Sequence, residues 1–131
     1  MKLIKMDEVQ AEKVDWLWYP YIPYGKVTLV QGDPGDGKTT FILAVAALLT
    51  RGKQMPETDV ICTPAPVIYQ TAEDGLSDTV KPRLEEMGAD CSRVIVIDES
   101  EQALTLSDER LEQAIISIRA KLLILDPLQA Y

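Results

Sequence analysis

Apolar residues gather in four short runs: Val27-Thr28-Leu29-Val30-Gln31, Val67-Ile68-Tyr69-Gln70-Thr71, Val94-Ile95-Val96-Ile97 and Leu122-Leu123-Ile124-Leu125. They are nearly continuous in apolar character rather than alternating, which is how strands covered on both faces read. The intervening stretches carry apolar residues at helical spacing. Strands alternating with helices predict an α/β fold, a parallel sheet with helices on both faces.

Residues 41–49, Phe-Ile-Leu-Ala-Val-Ala-Ala-Leu-Leu, predict a helix, and Arg51-Gly52-Lys53 ends it with cations and a glycine. Residues 53–66 hold three prolines and read as a surface loop. The segment 77–87 is helical with Gly88 as its stop, and Pro82 inside it argues for a later start or a kink. A last helix is expected to open with Ser107 as cap and Leu106 stapled onto Leu111. Its positions Leu111, Ala114, Ile115 and Ile118 then face the sheet. Residues 1–26 form a preface to residues 27–131. Within it Trp16, Trp18, Tyr19, Tyr21 and Tyr24 alternate with Pro20 and Pro23. Such a strap is expected across the sheet edge, with base stacking or docking on a neighbouring subunit as alternatives.

Between the first strand and the first helix lies Gly32-Asp33-Pro34-Gly35-Asp36-Gly37-Lys38-Thr39, followed by Thr40. It fits G-x-x-x-x-G-K-[ST], the phosphate-binding loop of nucleoside triphosphatases. A triphosphate needs many N–H donors converging on it, so the backbone must wrap closely, and glycines permit that. Lys38 then reaches the β- and γ-phosphates, and the Thr39 hydroxyl ligates Mg²⁺. At average residue usage such a match arises by chance on the order of once in a few hundred chains.

The run Leu122-Leu123-Ile124-Leu125-Asp126 ends in a carboxylate, which a buried strand places at the sheet's C-terminal edge beside the phosphates, where it holds a Mg²⁺ water. Asp98 also ends a strand and is the rival, although Asp98-Glu99-Ser100-Glu101 reads more as a solvated turn. Hydrolysis needs a group to orient or activate water. Many ATPases place a glutamate after the strand-end aspartate, where this chain has Pro127. Glu73, just past the second strand at the same sheet edge, is the candidate, with its neighbour Asp74 as the competitor.

The chain has 131 residues, 47% hydrophobic and 26% charged, which suits one domain with a real core. It has no histidine, so acid–base work falls to carboxylates. Cys62 and Cys91 form no metal or redox motif. The formal net charge of −8 is concentrated in residues 56–131, with six basic and fifteen acidic groups. A broad basic face for nucleic acid is therefore not expected. The longest apolar stretch is too short to span a bilayer and no signal-peptide pattern opens the chain, so a cytoplasmic protein with no membrane partner is expected.

These residues resemble the RecA-like ATPases, especially the branch of the plasmid hexameric replicative helicase. The matching pieces are residues 18–39, Thr71-Ala72-Glu73-Asp74-Gly75, the stretch 78–84, and Leu125-Asp126-Pro127-Leu128-Gln129-Ala130-Tyr131. The resemblance implies a RecA-like P-loop NTPase fold, ATP and Mg²⁺ as ligands, and Glu73 as the catalytic carboxylate. It also implies assembly into rings or filaments, and a role in DNA replication, recombination or repair. In that family a strand following the Asp126 position inserts between it and the P-loop strand. Without it the chain is expected to be a truncated RecA-like sheet, in which residues 27–31 pair directly with the Asp126 strand or a neighbouring chain fills the gap. Among competing activities, a phosphotransferase usually shows an Arg-rich lid, and residues 99–120 offer only Arg110 and Arg119. A GTPase lacks its Asn-Lys-x-Asp motif here. A nucleotide-binding or assembly module without turnover stands as the non-enzymatic alternative.

Overall fold

The computed structural model describes residues 1–33, 35–72 and 74–131. A short antiparallel hairpin, β1 (Trp16–Trp18) against β2 (Ile22–Pro23), precedes helix α1 (Lys38–Arg51). Then follow β3 (Val67–Thr71), α2 (Lys81–Glu86), β4 (Val94–Ile95), α3 (Glu109–Ile118) and β5 (Leu122–Asp126). The last three strands form one parallel sheet in the order β4-β3-β5. Val67 opposes Leu122 and Thr71 opposes Asp126, so β3 and β5 end together at one edge.

Side chains alternate along a strand, so Val67, Tyr69 and Thr71 share a face with Leu122, Ile124 and Asp126. Val67, Tyr69 and Ile124 cluster there with Leu43, Ala46 and Leu49 of α1, and with Val80 and Leu84 at α2. α1 is apolar around most of its girth because it touches both the sheet and α2. Its Leu43 and Leu49 are fully buried, each contributing about 1.5–3 kcal/mol. Gly52 caps the helix in the left-handed conformation, φ 67°, as the Arg51-Gly52 pair predicts. On the opposite face Ile68 and Gln70 are fully buried, and Leu104 and Leu111 are buried outside the main cluster.

Five expectations need correction. Among the described residues, positions 27–31 join no sheet: Val27 is 92% exposed, Leu29 60%, and β5 pairs there with β3 alone. A strand is stabilised by its ladder, and with no strand alongside it this apolar run stays outside the sheet, so its direct pairing with β5 does not occur. The third strand stops at Ile95 instead of Ile97. The last helix is capped by Asp108, not Ser107, because the Asp108 carboxylate accepts both the Arg110 backbone N–H and its guanidinium. Leu106 is 55% exposed, which leaves the staple unmade. Finally, the aromatic strap packs on α1 and the 53–66 loop rather than on the sheet edge. Trp18 is buried, donates its indole N–H to the Pro56 carbonyl at 3.0 Å, and lies 5.9 Å from the Phe41 ring of α1.

Other readings survive in detail. Pro82 is the second residue of α2, and a π-type turn over Leu76–Val80 runs directly into it, so the proline falls where the helix changes pitch. Leu111 is buried and Ala114, Ile115 and Ile118 are half-buried along α3.

Candidate functional site

The segment that leads into α1 is a closed turn. Asp36 N–H donates to the Asp33 carbonyl at 3.1 Å, and Asp33 N–H donates to Asp36 Oδ2 at 2.7 Å. Gly35 and Gly37 have φ of 89° and 84°, the left-handed region that side chains disfavour. Gly37 occupies the N-cap of α1 and offers no side chain to it, and the first turn holds no acidic residue. The helix N-terminus is therefore left with N–H groups and positive partial charge for an anion. Lys38 donates its ammonium to the Gly32 carbonyl, which draws the cation back over the turn. Thr40, also expected here, is exposed on the first turn of α1. The expected contact at Pro34 lies outside the described residues.

Thr39 connects this turn to the sheet. Its hydroxyl donates to Asp126 Oδ2 at 2.9 Å, although 87 residues separate the two. The contact exists because β5 lies beside β3 and α1 covers that face, so the first turn of the helix ends above the C-terminal edge of β5. Tyr69 adds a second donor: its phenol reaches the same Asp126 Oδ2 at 3.0 Å. Burial first, then the Asp126 charge and the hydrogen bond to it, push the Tyr69 phenol far above its ordinary value, so it stays protonated as a donor. In the sequence Tyr69 is one residue of an apolar strand run. The available signal was a hydroxyl within an apolar β run, since a buried tyrosine O–H needs a partner.

The end of β3 is tied to the same edge. Ala72 N–H donates to the Asp126 carbonyl at 3.3 Å and Asp74 N–H to the Thr71 hydroxyl at 3.3 Å. The catalytic expectation at Glu73 lies outside the described residues. The rival Asp98 is exposed and accepts the Ser100 N–H at 2.9 Å, a bond that lowers its pKa. It forms a local turn and makes no contact with Thr39 or Asp126. Its neighbour Glu99 is no free solvated group: it accepts from Gln70 at 3.1 Å and from Leu104 N–H at 2.7 Å.

Among the described residues no group of three or more His, Cys, Asp or Glu could cage a metal. A hydroxyl and one carboxylate fit Mg²⁺ instead, which keeps several waters and takes its remaining oxygens from a bound phosphate. Thr39, with its proton given to Asp126, keeps lone pairs for such a cation. No helix of the described residues is long and apolar enough to cross a membrane.

Comparison with known proteins identifies the family. An AAA domain family model matches residues 3–131. The DNA repair protein RadA of Halalkalibacterium halodurans is 31% identical over 105 residues, a stretch that covers 80% of this chain and 19% of RadA. The chain thus spans about a fifth of the length of that curated relative. No solved structure matches it. With the family matched over nearly its whole length, the chain belongs to the AAA domain family, among the RecA-like P-loop ATPases.

Proposed function

We propose that this chain binds Mg-ATP at residues 32–40 and hydrolyses it, as the nucleotide-handling part of a cytoplasmic protein acting in DNA repair, recombination or replication. The observation that carries the reading is the Thr39–Asp126 hydrogen bond at 2.9 Å, which brings the end of the P-loop and the strand-end carboxylate into one site. Lys38 lies beside the loop and can exchange its Gly32 carbonyl for phosphate oxygens. The uncapped N–H groups of α1 hold the phosphate chain, and Thr39 and Asp126 hold the metal and its water. Mg²⁺, when bound, neutralises phosphate charge as it develops in the reaction. Glu73 is the residue assigned to orienting the attacking water.

The DNA role draws on RadA, which is named as a DNA repair protein. With a net charge of −8 this segment is not the main DNA contact, and the ring or filament implied by family resemblance is where other surfaces meet DNA. A second reading, an assembly module that holds nucleotide without turnover, is favoured by one observation. Among the described residues no strand pairs with the outer edge of β5 or with the exposed residues 27–31, an arrangement suited to completion by another segment.

Titration with a fluorescent ATP analogue and a phosphate-release assay separate the two. Loss of binding in Lys38→Ala, together with retained binding and lost turnover in Glu73→Gln, supports the ATPase. Binding without turnover in the parent chain favours the module, and no binding with Mg²⁺ present refutes both.

A further inference from the structure

We infer that Tyr69 is a positioning residue for the metal side of this site, setting the Asp126 carboxylate through the hydroxyl it donates to Oδ2. This rests on the proposed Mg-ATP reading. Tyr69 opposes Ile124 across the β3–β5 ladder, while Asp126 opposes Thr71 two positions further on. Two residues of strand advance the chain by about 7 Å, so the phenol must lie along the sheet toward its C-terminal edge to arrive at Asp126. A tyrosine spans that diagonal, and its ring is fully buried in the main core.

Asp126 Oδ2 therefore receives two hydroxyl donors from different elements, Thr39 of α1 at 2.9 Å and Tyr69 of β3 at 3.0 Å. One donor alone leaves a carboxylate free to rotate about its terminal torsion. Two donors fix it, and among the described residues no hydrogen bond reaches Oδ1, which is left as the acceptor for metal-bound water. The two donors also divide the work. Thr39 is itself the expected metal ligand and exchanges contacts when a cation arrives, whereas Tyr69 is walled in by core residues and keeps its bond throughout. Partners of this kind orient metal-site groups without touching the metal.

The test measures the affinity of the chain for a fluorescent ATP analogue in EDTA and across a Mg²⁺ titration. Parent, Tyr69→Phe, Asp126→Asn and the double variant are compared, each with a thermal melt. Phe keeps the ring and its packing, so the fold is expected to persist. The expected result is that Tyr69→Phe lowers the Mg²⁺-dependent gain in affinity about tenfold, leaves the affinity in EDTA within about twofold, and has no effect once Asp126 is Asn. A gain equal to the parent's, an equal loss in EDTA and in Mg²⁺, or a full additional loss in the Asp126→Asn background would each overturn it. So would a Phe variant that no longer melts cooperatively, since the hydroxyl would then be a fold anchor. A parent chain that binds nucleotide with no gain from Mg²⁺ refutes the proposed function itself, a result distinct from failure of the Tyr69 variant alone.

Discussion

Gln70→Met tests how the sheet is completed beside the site. β4 leaves the ladder after Ile95, and the fully buried Gln70 side chain supplies what the ladder no longer does. Its Oε1 accepts Ile97 N–H at 2.7 Å, while its Nε2 donates to the Ile97 carbonyl at 3.3 Å and to Glu99 Oε2 at 3.1 Å. Glu99 in turn accepts Leu104 N–H at 2.7 Å, so one amide holds the connection between β4 and α3. Methionine matches the length of glutamine and removes all three bonds. A buried group left without a partner costs about 1–3 kcal/mol, but Ile97 and Glu99 are half-buried and water recovers part, so about 3 kcal/mol in total is expected. For a chain of this size that lowers Tm by about 10 °C. Calorimetric melts of parent and variant, with urea unfolding as a check, read it directly; a shift under about 3 °C refutes the reasoning.

A Gln70→Glu variant adds a pH arm. Glutamate still accepts Ile97 N–H but faces the Glu99 carboxylate, so burial and like charge raise its folded pKa above its unfolded value. The penalty is then full at about pH 7 and fades as pH falls through the raised folded pKa. The Tm gap to the parent narrows toward about pH 4.5 for Gln70→Glu. A Gln70→Glu gap that does not change with pH contradicts the placement of Glu99.

Trp18→Phe removes the indole N–H bonded to the Pro56 carbonyl and part of a buried ring, and is expected to cost about 2 kcal/mol, read by urea unfolding followed by circular dichroism. A cost below about 0.5 kcal/mol would mean that the strap is not part of the core. At the start of α3 the hydrogen bonds from the Arg110 side chain and then from its backbone lower the Asp108 pKa. A lowered folded pKa contributes stability that is present above the unfolded value and is lost as pH falls through the folded one. Asp108→Asn should therefore flatten the acid limb of the stability profile, and an unchanged limb from pH titration of the melt would contradict the cap.

Sequence was most informative where local chemistry decides structure. The glycines around Lys38, the Arg51-Gly52 stop and the position of Pro82 all act through backbone conformation within a few residues, and each is found where expected. Asp126 was also legible, because a continuous apolar run fixes a buried strand and its end. What escaped were side chains whose role is set by register. Nothing local in Val67-Ile68-Tyr69-Gln70-Thr71 says that Tyr69 meets Asp126 or that Gln70 replaces two rungs of a neighbouring ladder. Both follow only from which strand lies alongside and at what offset. Asp108 and Ser107 were equally good caps by residue type, and Arg110 decided between them.

The misplaced first strand follows from the same distinction, and it bears on the site. Residues 27–31 have strand composition, yet composition supplies no partner, and the run stays exposed beside an apolar groove lined by Trp18, Tyr21, Ile22 and Phe41. The two halves of the site therefore rest on unequal supports. Asp126, Tyr69 and Thr71 stand on a hydrogen-bonded parallel pair, and Thr39 stands on a helix buried against it. The turn into α1 is held from the helix side and by its own Asp33–Asp36 bonds, while residues 27–31 entering it form no ladder among the described residues. The geometry around Asp126 is thus set by the core itself. The proposed phosphate cradle is held by α1 at one end, and at the other residues 27–31 lend it no strand support among the described residues, so a change at that edge is expected to reach the cradle before it reaches Asp126.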